Sequence, residues 1–227
     1  LNVKGGRNAS GKITVRHQGG ANRRHLRLVD FTNPVLDKPA RVIGLQYDPN
    51  RSGQIALLSY ASGQKAYTLA VKGLAVGDII EASRTRVLDI KAGNRLLLKN
   101  IPAGLVVSNI EFYPGRGALG VRSAGAGATV LSAEADFVLI KMPSGEVRKF
   151  SGDCLATVGQ VSNSEYNLVR LGKAGRMRHL GTRPRVRGKA MNPVDHPHGG
   201  GEGHNPIGLR HPKTAWGKRA YGVPTRP

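Results

Sequence analysis

The 227-residue chain has one cysteine, Cys154, which leaves no disulfide framework and no thiol cluster for zinc. That fits a reducing compartment, with Cys154 as small core filler. Aromatic residues make up only 5% of the chain, too few for base stacking to be a main mode of recognition. Acidic residues are scarce as well: 14 Asp and Glu stand against 35 Lys and Arg, for a net charge of +21. Such an imbalance repels itself unless a polyanion neutralises it. No stretch approaches the roughly 18 apolar residues of a spanning helix, and no long amphipathic basic helix is visible. Nucleic acid is therefore the expected partner, and no membrane is expected.

The charge is unevenly spread. Residues 1–51 hold ten basic and three acidic side chains, residues 52–164 hold twelve and eight, and residues 165–227 hold thirteen and three. The ends are also rich in glycine and proline, with Gly5, Gly6, Gly11, Gly19 and Gly20 near the start, and Pro184, Pro193, Pro197, Gly199, Gly200, Gly201 and Gly203 near the end. Segments of this kind bury too little apolar surface to offset their ordering entropy alone, yet their glycines let backbone come close to phosphate. The expectation is a folded centre with two basic arms that order on RNA.

The centre reads as β. Ile43, Leu45 and Tyr47 alternate with polar or small residues, the period of a half-buried strand. Residues 55–60 and 65–69 flank Ser62-Gly63, a hairpin turn signal. Val106, Ser108, Ile110 and Phe112 are spaced to share one strand face, and a second hairpin runs from 137–142 through Pro143-Ser144-Gly145 to 147–150. Cys154, Ala156 and Val158 continue the alternation. Short strands with almost no helical period predict small β-barrels, with a boundary at Pro102 to Gly104 and one short helix near Ser164 to Leu171.

Three motifs carry chemistry. Gly115-Arg116-Gly117-Ala118-Leu119-Gly120 fits the dinucleotide fingerprint, but a cofactor site needs a helix to begin at those glycines, and the residues that follow are not helical in pattern. An irregular loop with Arg116 and Arg122 facing phosphate is the better reading. Asp195, His196, His198, Glu202 and His204 cluster as a metal or acid–base site would. Pro197 between the histidines makes fixed ligand geometry hard to supply, so a loop contacting RNA is preferred over a metal site or an enzyme using His196 and His198. Arg183, Arg185 and Arg187, followed by Lys189, place basic groups at alternate positions of a Pro-stiffened stretch that can run along a phosphate backbone. Arg16, His17, Arg23, Arg24 and Arg27 are the N-terminal equivalent. Recognition should rest on shape, phosphate and 2′-hydroxyl contacts with folded RNA.

At these residues the chain resembles the universal large-subunit ribosomal protein L-two family, in its bacterial or organellar form. The resemblance is carried by Gly5-Gly6-Arg7-Asn8, Thr14-Val15-Arg16-His17-Gln18-Gly19-Gly20, Tyr47-Asp48-Pro49-Asn50-Arg51, Arg122-Ser123-Ala124-Gly125 and Leu171-Gly172-Lys173-Ala174-Gly175. Most specific is the run from Ala190-Met191-Asn192-Pro193-Val194-Asp195-His196 through Pro197-His198-Gly199-Gly200-Gly201-Glu202-Gly203. It implies a mainly β protein: a basic N-terminal extension (1–26), an OB-type RNA-binding barrel (27–100), an SH3-like barrel (101–172) and an extended basic C-terminal segment (173–227).

The implied role is that of a structural constituent of the large subunit, not an enzyme. It would bind large-subunit rRNA beside neighbouring ribosomal proteins, support association with the small subunit, and shape the region near tRNA and the peptidyl transferase centre. The alternative is a free-standing RNA-binding or chaperone protein. Arg7, Asn8, Asn50, Arg51, Lys173, Arg176, Lys218 and Arg219 join the RNA-binding candidates through this resemblance. The loop holding Asn192, Asp195, His196, His198, Gly199, Gly200, Gly201 and Glu202 is the part implied to approach the catalytic RNA. No cofactor of its own is expected, magnesium arriving only with the rRNA, and no homo-oligomer. The missing stretch ahead of Lys4, the stop without a long basic tail and the Ala126 to Ala128 departure incline the resemblance to a mitochondrial member, otherwise a bacterial or plastid one.

Overall fold

A computed structural model describes residues 4–32, 36–134 and 136–222. The fold is mainly β, with 28% strand against 8% helix, and its sheets curl as half-barrels of OB-like and SH3-like form. Two compact units divide the chain: Arg23–Arg170, and Asn2–Asn22 together with Leu171–Pro227.

In the first unit, four antiparallel strands form one sheet: β1 (Ala40–Gln46), β2 (Ile55–Tyr60), β3 (Lys65–Leu69) and β4 (Ile79–Ile80), ordered β3-β2-β1-β4. The Ser62-Gly63 signal does turn β2 into β3: Gly63 takes φ +81° and the Tyr60 N–H donates to the Gln64 carbonyl. Ala40, Val42, Ala56, Leu58, Val71, Leu74 and Ile80 pack as its core. Ile43, Leu45 and Tyr47 do not form the buried face that their spacing predicted; all three are exposed. The register with β2 shifts between Val42 and Gly44, so Ile43 is an inserted residue, and Ala40 and Val42 take the core positions.

The second sheet has six strands, β5 (Arg95–Leu97), β6 (Val106–Ser108), β9 (Ala128–Ala133), β10 (Phe137–Lys141), β11 (Val147–Ser151) and β12 (Leu155–Val158). They are ordered β11-β10-β9-β6-β12-β5. Between β6 and β9, β7 (Ile110–Glu111) pairs with β8 (Ala118–Gly120) as a separate ribbon. The β10–β11 hairpin falls where the Pro-Ser-Gly signal put it. Leu96, Leu98, Val107, Ile110, Val130, Val138, Ile140 and Ala156 form the larger core. Because β5 pairs with β12, sheet membership changes ahead of Arg95 and not at Pro102 to Gly104. The single face expected for Val106, Ser108, Ile110 and Phe112 is also corrected. Asn109 takes φ +54° and breaks the strand, so Val107 and Ile110 turn inward while Val106 is exposed. The segment near Ser164 makes only a 3-10 turn, Ser164–Leu168.

Glu111 sits in this unit with no solvent exposure. Its two carboxylate oxygens each accept at 2.8 Å from Arg84 Nη2, and one accepts from Arg95 Nη2 at 3.5 Å. The N–H groups of Leu155 and Gly115 donate to it at 3.1 and 3.4 Å. Burial lowers the Arg95 guanidinium to about 10 against the opposing pull of Glu111, so Arg95 still carries its charge at neutral pH. Cys154 packs nearby, and burial pushes its thiol up to about 11, which keeps it protonated and unreactive.

Candidate nucleic-acid interface

The second unit is built from both ends of the chain. Gln18 pairs antiparallel with Thr182. The Gly19 N–H donates to the Gly181 carbonyl at 2.9 Å, Arg183 N–H to His17 at 3.0 Å and Asn22 N–H to His179 at 3.0 Å. His17 Nδ1 lies 3.2 Å from the Pro184 carbonyl; a carbonyl only accepts, so that nitrogen carries the ring proton. The two arms that the sequence presents as separate are thus one backbone-paired body, with His17 and Arg183 in its seam.

Local chemistry sets each part. Residues 7–13 form a small loop closed by an Arg7–Ile13 bridge, with the Asn8 side-chain oxygen accepting from Ser10 Oγ at 2.8 Å and from the Lys12 N–H at 3.0 Å. Gly6 is required behind it: φ is +74°, and a Cβ would lie 2.0 Å from the Val15 carbonyl oxygen. Asn8 is therefore a loop fastener, while Arg7 and Lys12 are exposed beside it. Helix α1 (Ala174–His179) carries Arg176, Arg178 and His179 in its last turn, where cations suit the helix dipole. Gly181, at φ +95°, ends it by donating to the Arg178 carbonyl. From there residues 183–187 run exposed and without regular structure, carrying Arg183, Arg185 and Arg187 on the surface; Lys189 follows in a 3-10 turn, Gly188–Ala190, half-buried.

The loop at 192–203 is tied back on itself. Asp195 and His196 N–H groups donate to the Asn192 carbonyl, and Gly200 donates to Met191. Gly199 passes so close that a Cβ would lie 2.2 Å from the Asn192 oxygen, which only glycine permits. The two imidazoles stand 4.7 Å apart. His196 Nδ1 accepts from the His198 N–H at 3.0 Å, and His198 Nε2 accepts from the Lys213 N–H at 2.8 Å. Each ring is therefore neutral at that nitrogen and half-buried, leaving His196 Nε2 and His198 Nδ1 as the remaining donors. Asn192, Val194, Asp195, Gly201 and Glu202 are exposed, Val194 at 91%. Among the described residues, no group of three or more His, Cys, Asp and Glu is placed to hold a metal ion.

In the first unit several candidates turn out to hold the protein to itself. Asp48 is fully buried. It accepts from Arg51 Nε at 2.7 Å and from the Asn50 N–H and Nδ2 at 3.0 and 3.1 Å. Burial would raise its carboxyl, but the Arg51 and Asn50 hydrogen bonds and the Arg51 charge together hold it below the usual carboxylate range. Arg24 donates to the Pro49 carbonyl at 3.0 Å. Phe31 has two guanidiniums against its ring, Arg122 at 4.5 Å and Arg51 at 5.6 Å. Arg122 also donates to the Ala118 carbonyl. Arg116 is exposed, 5.4 Å from the Tyr113 ring centroid, and Arg23 is exposed as well. The glycine fingerprint opens strand β8 and not a helix, so it has no helix N-terminus to offer a pyrophosphate.

Lys173, Arg176, Lys218 and Arg219 all stand on the exposed surface of the second unit. Sequence reading passed over Lys12, Arg178 and Lys213, which belong to the same basic body. Arg178 reaches the Gly19 carbonyl at 3.4 Å, and charge density alone marks all three. It also passed over the pairing of Arg16 with Trp216, whose ring centroid lies 5.1 Å from the guanidinium carbon.

Residues 1–82 match the family model described as Ribosomal Proteins L2, RNA binding N-terminal domain, and residues 91–217 match Ribosomal Proteins L2, C-terminal domain.

Proposed function

Because the chain belongs to the ribosomal protein L2 family, a structural component of the large ribosomal subunit that binds its rRNA, we propose how its surface is divided for that task. The second unit is the main RNA-contacting body, with Arg183, Arg185 and Arg187 along phosphates. The observation that carries this is the pairing of Gln18 with Thr182, which gathers the two most basic ends of the chain into one surface. Arg7, Arg16, Lys173, Arg176, Lys218 and Arg219 extend that surface, and Arg23 and Arg116 add contacts from the first unit. Arg24, Asn50, Arg51 and Arg122 support folding first and RNA second, since each already has an internal partner.

The loop at Asn192 to Gly203 reaches toward the peptidyl transferase centre, and its exposed Asn192, Asp195 and Glu202 meet RNA or hydrated magnesium there. The backbone groups of Gly199, Gly200 and Gly201 come close to the RNA. His196 and His198 shape this loop and donate from their free nitrogens; the RNA does the chemistry, and the protein needs no cofactor of its own. Association with the small subunit and with tRNA follows from that position. We infer a mitochondrial ribosome as its home. The test is binding of the full chain to deproteinised large-subunit rRNA across a salt series. Affinity should fall steeply with salt, since each neutralised phosphate releases counterions. Equal affinity for unrelated RNA would favour a free-standing RNA-binding protein, and a flat salt response would remove the proposed phosphate contacts.

A further inference from the structure

Lys213 and Arg219 pair antiparallel, the Thr214 N–H donates to the Lys218 carbonyl at 2.7 Å, and the Gly217 N–H donates to Thr214 at 3.0 Å. Gly217 takes φ +78°, as so tight a turn requires. The turn lifts Trp216, the only tryptophan of the chain, to its tip with 75% of its surface exposed. Arg16 lies against its ring at 5.1 Å. An indole held out in this way leaves a large apolar surface in water, and nothing in the hairpin's own packing needs it there.

We propose that Trp216 is a stacking platform for an unpaired nucleobase, with Arg16 setting the ring's orientation and Lys213, Lys218 and Arg219 holding the phosphates on either side of that base. A guanidinium against the ring lends the π-system a favourable cation contact and leaves ring surface open. Every base offers a flat π-surface to such a platform, so the site reads the presence of a flipped-out base and not its sequence. Charge favours RNA over an apolar protein neighbour: three of the seven residues from Lys213 to Arg219 are cationic, and no acidic residue follows Glu202. Low aromatic content makes this a local exception to recognition by shape and phosphate. The inference rests on the RNA-binding reading and names one further contact within it.

Since Trp216 is the sole tryptophan, its emission reports on the site alone. The full chain is titrated with deproteinised large-subunit rRNA, following labelled RNA retention and indole fluorescence together. Stacking gives strong quenching and protection from acrylamide as RNA is retained. Trp216→Leu should weaken retention about tenfold without changing the salt dependence, because stacking releases no counterions, and Trp216→Phe should recover most of it. RNA retained at full affinity while the indole stays bright and open to acrylamide overturns the platform, leaves RNA binding standing and gives the hairpin tip to a neighbouring protein. No retention at all overturns both.

Discussion

Arg84 holds both carboxylate oxygens of Glu111 through a single terminal nitrogen, 2.8 Å to each, and so fixes the one acidic side chain that the larger barrel buries beside Arg95. Removing Glu111 strands the Arg95 charge, whose Nε and Nη1 are already without partners. Glu111→Ala should therefore cost about 3–5 kcal/mol of unfolding free energy. Urea unfolding of the folded unit measures it; a loss within a few tenths of a kcal/mol would mean that the carboxylate contributes nothing to holding β7 in place.

Asp48 makes stability depend on pH in a defined direction. Its carboxyl is lowered in the folded state by Arg51 and Asn50, so the stability it adds is fully present above the unfolded carboxylate value of about 3.9. That stability is lost as pH falls through the lower folded value. Thermal melts at pH 7 and pH 3 should thus differ less for Asp48→Asn than for the parent chain. Equal acid sensitivity in the two proteins would remove Asp48 from the account.

Two sets of arginines separate structure from RNA contact. Converting Arg183, Arg185 and Arg187 together to Gln should lower the slope of log affinity against log salt by about two, with the melting temperature unchanged. Arg51→Gln should do the reverse, costing about 1–3 kcal/mol of stability with the slope kept. A triple variant that keeps the parent slope would show those side chains pointing away from phosphate.

The Gly199 backbone leaves no room for a side chain. Gly199→Ala should open the 192–203 loop and free both imidazoles while the barrels stay folded. Nitrogen-15 spectra of the histidine rings follow this directly: His196 protonated on Nε2 and His198 on Nδ1 in the parent, tautomer-averaged rings in the variant. Unaltered spectra would contradict the tight loop.

The β2–β3 and β10–β11 hairpins were legible because period-two patterning and turn residues agree within a short window. The face at Ile43, Leu45 and Tyr47 was misread because the Ile43 bulge shifts the register, and no composition rule marks a bulge there. Helix α1 has six residues and no apolar stripe, so it left no periodic trace. The basic candidates were found by residue type, but their division into exposed Arg183 to Arg187 and inward-turned Arg51 and Arg122 depends on buried Asp48 and on Phe31. The seam between the arms was invisible because His17 and Pro184 are 167 positions apart.

That separation also orders events during synthesis. A strand partner at Thr182 does not exist for Gln18 until the barrels at 23–170 have already left the exit tunnel, and chains fold domain by domain from the N-terminal side. The first basic segment must then wait, open and charged, while the β-sheets close, and the basic body it shares with the residues after 170 can form only after them.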